Sequence, residues 1–122
     1  MKVLDPKEFI KSFLIEEVKS TIDDHPYMAF IIMGIGIEFL GKCLDPSLKD
    51  WNAPGRSKID FENAIHTIPA LNKYVLFLTS HNMYSSFRCG LAHAVSPKVE
   101  ITLSSKGEME HLVQTGSRIN FK

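Results

Sequence analysis

The sequence predicts a mainly α-helical protein: a bundle of four to five helices with a small C-terminal antiparallel β-hairpin or meander. Three observations carry that expectation. The chain has 122 residues, which suits one domain around one core. Apolar residues recur at helical spacing in successive segments up to Pro97. Beyond Pro97 the period falls to two, as in a strand. A single domain over residues 1–122 is expected, with the bundle in 1–97 and the β extension in 98–122.

The first helix is signalled by Asp5 as cap, Pro6 at the first helical position and Glu8 three residues after the cap. Ile10, Phe13, Leu14, Val18 and Ile22 give it one apolar stripe, and Asp23-Asp24-His25-Pro26 breaks it. The second helix should run from about Pro26 to Leu44. It is apolar nearly all round, as a helix buried on most sides would be. Gly34, Glu38 and Gly41 share one of its faces, at i, i+4 and i+7. Each glycine costs a helix roughly 1 kcal/mol relative to alanine, so close packing against another helix is the simplest reason for them. Glu38 then either pairs within that packing or belongs to a site, because a carboxylate on a packed face needs a partner.

Asp45 to Arg56 reads as a loop broken by Pro46, Pro54 and Gly55, with Trp51 as its anchor. Ser57 with Asp60 matches a capping box and opens a third helix, whose stripe is Phe61, Ala64, Ile65 and Ile68. Pro69 ends or kinks it. Leu71, Tyr74, Val75 and Leu78 continue the period as far as Thr79-Ser80-His81-Asn82. Asn82 can cap the last helix, with Tyr84, Phe87, Leu91 and Ala94 as its stripe and Pro97 as its end. Strands follow at Val99–Leu103, Met109–Gln114 and Arg118–Phe121, joined by turns at Ser105–Glu108 and Thr115-Gly116.

Composition narrows the function. Hydrophobic residues are 44% and charged residues 23%, ordinary for a globular chain, so disorder and a disulfide-framed miniprotein are excluded. Fourteen basic and fourteen acidic side chains cancel, so any anion site must be local. Cys43 and Cys89 both fall in apolar helical segments and read as buried thiols of a reduced, cytoplasmic protein. Met1-Lys2-Val3-Leu4 runs straight into polar residues, unlike a signal peptide. Tyr27 to Ile37 is too short for a bilayer span, so no membrane partner is expected. The five histidines have no cysteine or carboxylate at ligand spacing, and no glycine-rich phosphate loop is present. Neither a metal nor a cofactor is expected.

One segment carries chemistry. Tyr84-Ser85-Ser86-Phe87-Arg88-Cys89-Gly90-Leu91-Ala92-His93 places a permanent cation and a titratable base in a core helix. Arg88 and His93 are five residues apart, about 7.5 Å along the axis and about 140° around it. Two readings of these residues stand. Arg88 pairs with a carboxylate such as Glu38 and His93 is a half-buried helix-end residue, or both serve one ligand.

Arg88-Cys89-Gly90-Leu91-Ala92-His93 resembles the R-x4-6-H signature of the HEPN superfamily, small helical domains with the motif on a late helix. The chain is also similar to uncharacterised bacterial proteins that pair a "GIEFLG"-like second helix with an "LRCGLxH"-like motif helix. Here those parts are Gly36 to Gly41 and Phe87 to His93, and the similarity spans roughly Pro26 to Pro97. The resemblance implies a metal-independent endoribonuclease of toxin–antitoxin or anti-phage type. His93 would be the general base on an RNA 2′-hydroxyl and Arg88 the phosphate clamp, with Glu38 and Cys89 in support. It implies a homodimer bringing two motifs together, with RNA and an antitoxin or other protein as further partners. The alternative is a catalytically silent relative that binds nucleotide or RNA or acts as a dimeric interaction module. Many active members carry asparagine or aspartate after the arginine, where this chain has Cys89, and some carry tyrosine where it has Val95.

Two structural expectations follow. The apolar second helix and the small-residue-rich motif helix should leave apolar surface for a homodimer that includes the motif helix. Glu38 should lie against Arg88. A weaker expectation is that the hairpin pairs with another protein's sheet edge.

Overall fold

The computed structural model describes residues 5–51, 53–91, 101–104 and 111–121. Five helical elements and a small sheet share one core of Phe30, Phe61, Ile65, Met83, Phe87, Leu91, Ile101, Ile119 and Phe121. The mainly helical bundle and its C-terminal antiparallel hairpin are as the periodicity predicts.

Helix α1 covers residues 6–22. Asp5 Oδ1 accepts from the Glu8 amide at 2.9 Å and Pro6 begins the helix, as the sequence signals. Between α-helical ends at Pro6–Phe9 and Glu17–Ile22, Ile10–Glu16 takes π-helical geometry. Its i to i+5 bonding puts more residues in each turn, so a stripe written at a 3.6 period walks off the packed face. Leu14 and Val18 remain half-buried, whereas Phe13 and Ile22 end up exposed, contrary to expectation.

Helix α2 is Pro26–Cys43 and helix α3 is Ser57–Thr67. They are held at near contact by Gly41: a Cβ there would stand 1.6 Å from the Asp60 carbonyl oxygen. Gly36 makes room for Leu14 of α1 in the same way. These glycines are packing residues. The helix is less enclosed than its composition suggests, because Tyr27, Met28 and Ile35 face solvent. By length and composition it could cross a membrane, yet its Glu38 and Gly41 are engaged as in a core helix.

The expected capping box at the start of α3 does not form. The cap residue is Arg56, which makes no side-chain cap bond, and Asp60 turns into the bundle. Helix α4 joins a 3-10 turn, Pro69–Tyr74, to an α-helical Val75–Ser80. Asn72 Nδ2 ties the two helices by donating to the Ile65 and His66 carbonyls, each at 2.9 Å.

Helix α5 is described over residues 83–91, with π-helical geometry through Tyr84–Cys89. Asn82 before it takes a left-handed φ of 49° and accepts from the Ser86 amide through its carbonyl. Met83, Phe87 and Leu91 are core. His93, Ala94, Val95 and Pro97 lie outside the described residues, as do Val99, the Ser105–Glu108 turn and Met109.

Strands β1 (Ile101–Leu103), β2 (Gln114–Thr115) and β3 (Arg118–Phe121) form a sheet of order β1-β3-β2. β2 and β3 make the antiparallel hairpin, whose turn uses Gly116 at φ 62°. β1 pairs parallel to β3, an arrangement the alternating pattern alone does not specify. Phe121 packs its ring edge-on to Phe87 at 5.0 Å and to Tyr74 at 5.6 Å, which seats the sheet on the bundle.

Candidate functional site

The small residue Gly34 lets α5 approach α2. A Cβ at Gly34 would meet the Phe87 ring at 3.5 Å and the Arg88 Cα at 3.6 Å. One turn further along α2, Glu38 then stands beside the Arg88 side chain. Arg88 Nε donates to Glu38 Oε2 at 2.7 Å, and Arg88 Nη2 donates to the same oxygen. The side chains are 15% and 7% exposed, respectively. Glu38 and Arg88 therefore meet as the sequence predicts, in a mostly desolvated ion pair.

Cys89 is half-buried on the next position of α5. Burial raises the Tyr84 hydroxyl above its ordinary range, and its hydrogen bond with Cys89 acts in the same direction. A hydrogen bond with Ser57 and the charge of Arg88 pull the other way. The first turn of α3 and the motif helix thus meet through Ser57, Tyr84 and Cys89. His93, the proposed base, is outside the described residues.

The arrangement bears on chemistry through the guanidinium. A phosphate clamp works by presenting its planar fork to two oxygens of a ligand. Here Nε and Nη2 are already committed to Glu38. Taking them away would leave a buried carboxylate uncompensated, which costs about 3–5 kcal/mol in comparable pairs. Arg88 does not line the cavity walled by Leu14 and Met33, the one walled by Phe9 and Trp51, or the one walled by Tyr74 and Phe121.

A second buried ionic cluster was not legible as such. Asp60 is fully buried, with Lys42 Nζ 3.1 Å from its Oδ2 and Arg56 Nη2 3.1 Å from its Oδ1. Arg56 Nη2 also donates to Asp45 Oδ2. Hydrogen bonds from Ser47 and Arg56 lower the Asp45 carboxyl to about 2. The cluster fastens the α2–α3 loop: Lys42 Nζ donates to the Trp51 carbonyl at 3.1 Å, and the Trp51 ring packs at a tilt against Phe39, 5.6 Å between centroids. The available signal is the i, i+4 spacing of Arg56 with Asp60.

A third polar contact links bundle and sheet. The Tyr74 hydroxyl and His111 Nε2 are 2.7 Å apart beside Phe121. Burial raises the Tyr74 pKa, while burial and the charge of Lys73 lower that of His111. The cysteines are unpaired, and Cys43 is exposed rather than buried as expected. Among the described residues, no three of His, Cys, Asp and Glu gather as metal ligands. Comparison with protein-family models, curated proteins and solved structures finds no match to this chain.

Proposed function

We propose that this chain is an HEPN-like interaction module in which Arg88 of the motif organises the fold instead of gripping phosphate. The observation that supports it is the pairing of Arg88 Nε and Nη2 with the buried carboxylate of Glu38. An endoribonuclease of the kind the resemblance implies needs that guanidinium at the scissile phosphate. Substitution of Cys89 for the polar residue common in active members points the same way. The work of such a module is to hold a protein partner, and its exposed apolar residues on α1 and α2 give it surface to do so.

The test is an incubation of purified protein with single-stranded RNA of mixed sequence in excess EDTA. The expected result is intact RNA. Cleavage that leaves 2′,3′-cyclic phosphate ends and disappears in His93→Ala would replace this reading with the ribonuclease one.

A further inference from the structure

We infer that the groove between α1, α2 and the start of α4 binds a small carboxylic acid with an unbranched alkyl chain, its carboxylate on Lys19 and its chain along α2. The site is separate from the Glu38–Arg88 pair on which the interaction-module reading rests, since neither residue lines it.

The groove follows from where α2 places its apolar residues. At helical spacing Met33, Gly36, Ile37 and Leu40 fall within an arc of about 100° and form the floor. Glu38 is turned about 150° from the middle of that arc, toward Arg88. Leu14 and Val18 of α1 make one wall, and Ile68 and Leu71 at the start of α4 make the other. Gly36 lets the first wall settle close to the floor, because a Cβ there would stand 2.5 Å from Leu14 Cδ1. Asn72 pins the second wall by its bonds to the Ile65 and His66 carbonyls. Leu14, Val18, Met33, Ile37, Leu40 and Leu71 are all half-buried, so they are packed beneath and open above. The space between them is about 370 Å³.

Three features select the occupant. The first is size. Pockets for small molecules measure about 300–1,000 Å³. A protein partner would need about 800 Å² of surface from this chain, which a concavity of this volume does not supply.

The second feature is charge. Among the residues lining the groove, Lys19 alone is ionisable. It forms no ion pair with a described residue, although Glu16 and Asp23 share its helix. A cation beside an apolar trough with no acid in it complements a negative head on an apolar tail.

The third feature is direction. Phe9 of α1 meets Phe39 at 5.3 Å, and Leu14 meets Gly36, so α1 runs antiparallel to α2. Lys19 therefore comes level with the Met33 end of the floor. The cation stands at one end of the trough, and Leu40 lies at the other. From Met33 to Leu40 is about 10 Å, which an extended chain of about 1.5 Å bonds spans with roughly eight carbons. The wall at Leu14 and Ile15 belongs to the π-helical stretch of α1, a geometry that recurs at functional sites.

The experiment is isothermal titration calorimetry of the full chain with sodium hexanoate, octanoate and dodecanoate, and with octanol. One octanoate should bind per chain. Affinity should rise about fourfold for each methylene between hexanoate and octanoate, and level off by dodecanoate, whose tail outruns the groove. Lys19→Met, at an exposed position, should weaken octanoate about two- to fivefold and leave octanol and the melting temperature unchanged. Ile15→Glu, at a rim position 45% exposed, should abolish octanoate binding by setting one carboxylate beside another. No binding of octanoate at millimolar concentration would overturn the inference. So would several octanoates per chain, equal affinity at every chain length, or Lys19→Met binding octanoate as tightly as the wild type. Vesicles of anionic phospholipid that bind the protein when octanoate does not would replace the free acid with a membrane surface.

Discussion

Arg88 Nε lies 2.7 Å from Glu38 Oε2, across fifty residues of sequence, and both side chains are largely out of water. That contact fixes the distance between α2 and α5 and decides which surface of the motif helix reaches solvent. A pair of this kind is costly to break and cheap to replace whole, because the penalty comes from stranding one charge.

Glu38→Gln and Arg88→Met should therefore each destabilise the protein by about 3–5 kcal/mol. The double variant Glu38→Leu/Arg88→Met should recover most of the loss, since neither charge remains to be solvated. Urea unfolding of the four proteins gives the coupling directly. Losses that simply add would show that the two side chains do not depend on each other.

Gly41→Ala should be among the most damaging single-atom additions in the chain. Its Cβ would overlap the Asp60 carbonyl, which is backbone and cannot swing aside. Overpacking costs typically about 1–3 kcal/mol and more where the backbone must move. Thermal melting should show a loss at or above that range, while Gly55→Ala, with open space around its Cβ but a left-handed φ of 76°, should lose less.

His111 predicts an acid-side weakening of the sheet. Burial and Lys73 hold its folded pKa below the ordinary 6.5. The folded state thus favours the neutral ring, and the unfolded state binds the proton first. The contribution is complete above pH 6.5 and is lost as pH falls through 6.5 toward the folded pKa. Stability measured from pH 7.5 down to 5 should decline in the wild type and decline less in His111→Asn. Equal slopes would remove His111 from the account.

The reach of sequence reasoning can be judged residue by residue. Glu38 and Arg88 could be paired in advance because glycine and other small residues lined the faces that carry them, and a charge on such a face demands its opposite. Phe13 and Ile22 could not be placed, because the π-helical stretch of α1 changes the period on which their burial was argued. Ser57 and Asp60 stand at the spacing of a capping box, but Arg56, one residue before Ser57, and Lys42, on a different helix, draw the Asp60 carboxylate into a buried ion cluster that the cap spacing does not reveal. The apolar character of α2 was plain, but composition does not say which side lacks a neighbour. The hairpin around Gly116 was legible from its turn, whereas the parallel pairing of β1 is set by a long-range contact that no local pattern encodes.

The most direct measurement of the central claim is the NMR signal of the Arg88 Nε–H during titration with single-stranded RNA. If Arg88 is held by Glu38 for the sake of the fold, that proton should be protected from exchange, should lose its protection in Glu38→Gln, and should not move as RNA is added. A signal that shifts with RNA in the wild type would show the guanidinium leaving the carboxylate for a phosphate, and would contradict the account.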